Sequence, residues 1–124
     1  MLNNKEIEQV NTFVKTLYDS IGNINHKAKF HSQGKKFLTL LARDLHLVNY
    51  EIRSNKGGSG INGDVVLHDE NVYIAFYGDM NNKEFMVRKV KGLKDYIGGL
   101  NNFIPFDCLR DYSNLINKIN NIKA

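Results

Sequence analysis

Near residue 47 the spacing of apolar side chains changes from steps of three and four to steps of two, and this constrains the fold more than any other feature. Before the change, Ile7, Val10, Val14, Leu17, Tyr18 and Ile21 recur at the period of an amphipathic helix, and Gly22 and Asn23 supply a stop. The spacing predicts a helix over about 3–20. Phe30, Phe37, Leu38, Leu41 and Leu45 form a second series, with Ser32 as a cap and Arg43 and His46 in the last turn, where positive charge suits the helix dipole. It predicts a helix over about 32–46, with room for a helical turn before it.

After the change, Val48, Tyr50 and Ile52 alternate with polar residues, as in a half-buried strand. Residues 63–67 and 72–76 are β-rich and separated by the polar turn 68–71. Residues 84–90 alternate again, with Phe85, Val87 and Lys89 on one side and Met86, Arg88 and Val90 on the other. Residues 78–83 form the loop before them. Leu109, Tyr112, Leu115, Ile116, Ile119 and Ile122 then return to the helical period, with Asp107 as the expected N-cap and Pro105 ahead of it. The expectation is a single α+β domain over 1–124: two N-terminal helices, a four-stranded, mainly antiparallel sheet and a C-terminal helix, with the helices on one face.

The 124 residues carry a formal charge of +4, which favours an anionic partner without selecting one. The one cysteine, Cys108, cannot form an internal disulfide and reads as a structural thiol. The start of the chain has no signal-like apolar run, and no stretch is long enough to span a bilayer. A cytoplasmic protein without a membrane partner is expected.

Two segments carry candidate chemistry. In Arg53-Ser54-Asn55-Lys56-Gly57-Gly58-Ser59-Gly60-Ile61-Asn62-Gly63-Asp64, four glycines within seven positions let backbone amides approach a ligand. Successive amides of this kind can form an anion nest. Arg53 and Lys56 add charge, and Ser54 and Asn55 add hydrogen-bond donors. No Gly-Lys-Ser/Thr ending follows, so this is not a P-loop. An inter-strand loop without a ligand explains the composition equally well.

The second segment runs from Arg88 to Phe103. Arg88, Lys89, Lys91 and Lys94 can neutralise phosphate, Asn101 and Asn102 can bond a base edge, and Tyr96 and Phe103 can stack on one. A solvated basic strand followed by a turn is the competing reading, but the close packing of cationic, amide and aromatic residues favours binding.

The remaining polar residues predict neither metal nor cofactor. The four histidines lack ligand spacing, and His68 beside Asp69 and Glu70 reads as a turn residue or a general base. Asp64 is placed like the first acid of a nuclease core, but Ile74-Ala75-Phe76 occupies the place of the second acid and lysine. An enzyme is not expected.

Over about Lys36 to Phe103 the chain resembles small proteins of phages, prophages and plasmids. The resemblance rests on Lys36-Phe37-Leu38 with Leu41-Ala42, then Arg53 through Gly58, Gly63-Asp64-Val65-Val66-Leu67-His68, Tyr73, and the run Lys91 through Asn102. It is similar in these motifs to the Thoeris anti-defence (Tad) family of nucleotide sponges. The resemblance implies a phage protein, working in the host cytoplasm, that sequesters a cyclic ADP-ribose signal without cleaving it and so silences TIR-dependent immunity. It also implies a homo-oligomer with ligand sites at or near subunit interfaces.

On that reading Arg53, Lys56 and Arg88 meet phosphates, the amides of Gly57 and Gly58 line the site, and Tyr96, Asn101, Asn102 and Phe103 hold the base. The family pattern often has Arg where this chain has Leu93 and Leu100, so Lys91, Lys94 or Arg110 must compensate. A nucleic-acid-binding module using the same basic, aromatic surface is the alternative.

Overall fold

The structure is a computed structural model, described here for residues 2–21, 23–57, 62–78, 82–95 and 99–124. Helix α1 (Asn4–Ser20) opens with a reciprocal cap. The Glu6 amide donates to Asn3 Oδ1 at 2.8 Å, and the Asn3 amide donates to Glu6 Oε1 at 3.0 Å, which satisfies two otherwise orphaned donors.

A 3₁₀ turn (Ile24–His26), capped by the Asn23 side chain, feeds directly into α2 (Lys27–Asp44). This helix begins earlier than its apolar spacing suggests. Its first turns bury Phe30 together with a polar residue, His31, and a buried histidine breaks the pattern from which the start was read.

Five strands follow: β1 (Glu51–Asn55), β2 (Asp64–His68), β3 (Val72–Tyr77), β4 (Glu84–Lys89) and β5 (Asn101–Pro105). Each pairs antiparallel with its chain neighbours, in the order β1-β2-β3-β4-β5. A 3₁₀ turn (Phe106–Arg110) then leads to α3 (Tyr112–Lys123). The fold is therefore α+β and antiparallel, as expected, but with five strands rather than four.

Three boundaries differ for physical reasons. Val48 is 85% exposed and Tyr50 38%, so their alternation is that of an approach to the sheet; pairing starts at Glu51 and carries Arg53, Ser54 and Asn55 into β1. The fifth strand comes from Asn101-Asn102-Phe103-Ile104-Pro105, where two asparagines lower β-propensity and a proline is tolerated at an edge. Asp107 lies in the 3₁₀ turn, where it pairs with Arg110 at 2.9 Å; Asp111 precedes α3 and makes no side-chain cap.

All three helices pack on one face of the sheet. Val65, Leu67, Ile74, Phe76, Phe85, Val87 and Ile104 point into this core. Phe13, Phe37, Phe76 and Phe85 form its aromatic centre, with centroid separations of 4.5–5.8 Å. Where the helices meet, Arg43 donates to Glu6 at 2.6 Å and to Asp44 at 3.0 Å, and the Tyr112 hydroxyl donates to Asp44 at 2.7 Å. One ionic and hydrogen-bonded cluster thus joins α1, α2 and α3. Among the described residues no helix is long and apolar enough to cross a membrane.

Candidate functional site

An antiparallel meander alternates its connections between the two ends of the sheet. Asn55 and Asp64 pair at one end, so the glycine-rich connection lies there; Arg88 and Asn101 pair at the other, where the basic connection lies. A five-residue strand is about 15 Å long, so the two candidate segments are separated by the length of the sheet.

At the glycine-rich end, the described residues form a buried network. The His31 Nε2–H donates to the Asn62 carbonyl at 2.6 Å; Nδ1 is therefore the bare nitrogen, and the Ser54 hydroxyl donates to it at 2.7 Å. Asn62 Nδ2 donates to the Ser20 carbonyl at 2.6 Å. Asn55 Nδ2 donates to Asp64 Oδ1 at 2.7 Å, while Lys56 and Gly57 stand exposed in the turn. The Ser54 hydroxyl thus serves to anchor α2. Gly58 lies outside the described residues.

The helix-free face carries Glu51, Arg53, Asn55, Asp64, His68, Tyr73, Tyr77, Glu84, Arg88, Asn101 and Phe103, by strand alternation and register. Its floor is a second small apolar cluster of Val66, Ala75 and Met86, with Tyr73 and Tyr77 packed against it. Phe103 sits opposite Met86 and is 49% exposed. Glu51, Asp64 and Glu84 offset Arg53 and Arg88, so this face has no excess positive charge for a polyanion.

At the basic end, Arg88 is held within the protein, at 4% exposure. It donates to the Asp95 carbonyl at 3.0 Å, lies 3.6 Å from Asp95 Oδ1, and stacks over the Tyr73 ring at 5.2 Å. The Lys91 amide donates to Asp95 Oδ2 at 3.0 Å. Arg88 and Asp95 therefore pin the start of the β4–β5 connection onto the sheet.

Beside this clamp is a cavity of about 520 Å³, lined by Lys89, Lys91, Asp95, Gly99, Leu100, Asn102 and Ile122. That volume lies within the range of small-molecule sites, roughly 300–1,000 Å³. Its lining combines two lysine side chains, the Asp95 carboxylate and two aliphatic side chains. Lys89 also donates to the Ala124 carbonyl at 2.7 Å. Asn102 Nδ2 donates to the Val87 and Leu100 carbonyls, at 3.2 Å each, so both amide hydrogens are engaged and its oxygen is left as an acceptor.

Of the residues singled out in the sequence, the structure brings Lys89, Lys91 and Asn102 together at the cavity. Arg53, Arg88, Asn101 and Phe103 lie on the other face of the sheet, and Lys94 is exposed in the turn after Lys91. Tyr96 lies outside the described residues. Ile122 and Leu100 were legible only as a core position and a departure from the family pattern; the packing of α3 against β4 makes them cavity walls. Among the described residues no three His, Cys, Asp or Glu side chains are grouped to hold a metal ion. No family model, curated protein or solved structure matches the chain.

Burial holds both His31 and His68 below the ordinary histidine value of 6.5; nearby Lys56 and Lys27 add to this at His31, and Arg53 and Arg88 at His68. The unfolded chain takes up these protons as pH falls through about 6.5, while the folded chain resists them. Stability is therefore expected to be level above about pH 7 and to decline as pH drops below 6.5. Urea midpoints from pH 8 to 5 measure this, and a flat profile across that range would contradict it.

Proposed function

We propose that the protein binds an anionic nucleotide of the cyclic ADP-ribose class in the cavity beside the β4–β5 connection and holds it unchanged, as a phage anti-defence sponge. The cavity itself supports this reading: residues of the basic motif line a space of about 520 Å³ that combines cations, an acceptor and apolar walls. Lys89 and Lys91 neutralise phosphate as point charges. The Asn102 oxygen accepts from a hydroxyl or amino group of the ligand, and Leu100 and Ile122 cover an apolar edge. Tight binding with slow release requires no catalytic group.

Calorimetry with cyclic ADP-ribose isomers, linear ADP-ribose and inorganic phosphate tests the proposal. At least one nucleotide is expected to bind at micromolar protein concentration and to be recovered intact after heat release. Replacing Lys89 and Lys91 together by Ala is expected to weaken binding about tenfold to a hundredfold, the scale of a lost charge-assisted contact, at nearly unchanged melting temperature. Absence of binding to every nucleotide, or cleavage of the bound one, overturns it.

A further inference from the structure

Helix α2 carries Lys27, Lys29, Lys35, Lys36 and Arg43 against one carboxylate, Asp44: a balance of +4, equal to the formal charge of the whole chain. Arg43 and Asp44 are bound to each other and to the other helices. Lys27, Lys29, Lys35 and Lys36 make no ion pair among the described residues. The protein's excess positive charge is thus concentrated on one helix, away from the cavity.

Phe30, Phe37, Leu38, Leu41 and Ala42 turn the apolar side of α2 into the core. Lys29, Ser32, Lys35, Lys36 and Thr39 follow one another at one- and three-residue steps along the exposed side. Lys29 and Lys36 are two turns apart, about 10 Å along the axis. That span is comparable to the ~12 Å width of a major groove, so the ends of the stripe can meet phosphates on its two sides.

Two features choose the occupant. No large hydrophobic side chain of α2 is exposed, so the helix has nothing to insert between lipid acyl chains. The side chains of α2 that could read base edges are otherwise placed: Arg43 is paired with Glu6 and Asp44, and Gln33 is partly buried. Lysines with a serine hydroxyl are groups that contact phosphate without reading sequence. We propose that the outward face of α2 is a sequence-independent docking site for the phosphate backbone of double-stranded nucleic acid.

Fluorescence anisotropy of the intact protein with a labelled duplex of about 20 base pairs, at salt from about 50 to 200 mM, tests this. The parent is expected to bind at low salt and to lose affinity steeply as salt rises. Replacing Lys29, Lys35 and Lys36 by Gln should reduce the salt slope by about two to three and weaken low-salt binding at least tenfold. The melting temperature should hold, because these side chains are exposed, and the three Lys→Arg changes should preserve binding. Lys89→Ala with Lys91→Ala should leave duplex binding intact, which separates this surface from the nucleotide cavity. The proposal is overturned by absence of low-salt binding, by equal binding of the triple Gln variant, or by vesicles rich in phosphatidylserine binding where the duplex does not.

Discussion

Phe76→Ala is expected to cost about 3–5 kcal/mol, the range for deleting a fully buried aromatic ring. The ring lies on the central strand with no solvent exposure, stacked on Phe85 at 4.5 Å and edge-on to Phe13 at 5.2 Å and Phe37 at 5.8 Å. Its neighbours come from both N-terminal helices and from β4, so the vacated space cannot close by moving one side chain. Domains are stable by only about 5–15 kcal/mol, and this change removes a large part of that. Tyr77→Ala, one residue on, trims the opposite face and should cost markedly less. Urea denaturation of both variants measures the difference, and equal losses would show that β3 does not alternate between a thick core and a thin second cluster.

Gly63→Ala is the second large effect, expected at about 2–4 kcal/mol from left-handed strain combined with overlap. Gly63 has φ of 73°, and a Cβ there would collide with the carbonyl oxygen of Asn55 across the strand pair. The surroundings cannot yield easily. Asn62 is tied to His31 and Ser20, and the Gly63 carbonyl accepts the Gly78 amide at 3.1 Å. Gly57→Ala, where an added Cβ meets nothing within 4 Å, is the matched control and should be close to neutral. Thermal unfolding of the pair decides it: similar melting points would mean that the connection relaxes around Gly63.

The class of fold was legible because hydrophobic periodicity reports directly on which side of an element faces the core. Phe85 and Val87 lie opposite Met86 and Arg88, and Ile52 opposite Arg53, as the alternation implies. The candidate site was less legible because a linear motif was read as a loop, in which adjacent residues can converge on one ligand. A strand separates them. Arg53 goes to the helix-free face and Ser54 to the helices; Asn101 and Phe103 go to one face and Asn102 to the other. Whether two distant loops meet depends on the order of strands, which no local pattern contains. Lys89, Lys91 and Asn102 come together because β4 and β5 are neighbours, and Ile122 joins them because α3 packs against β4.

The order of the sheet also bears on how the chain can assemble. Every strand pairs only with the strand before or after it, so each addition closes a loop between chain neighbours, and loop-closure entropy grows slowly with length. Helices α1 and α2 precede every strand in the chain and carry Phe13, Phe30 and Phe37, the aromatic template against which the sheet packs. The hairpins can then be laid onto that template one at a time in the direction of synthesis. The long-range contacts belong to the C-terminal segment: Phe106 seats its ring edge-on to Tyr18 at 5.6 Å, and Tyr112 reaches Asp44, tying late residues to early ones.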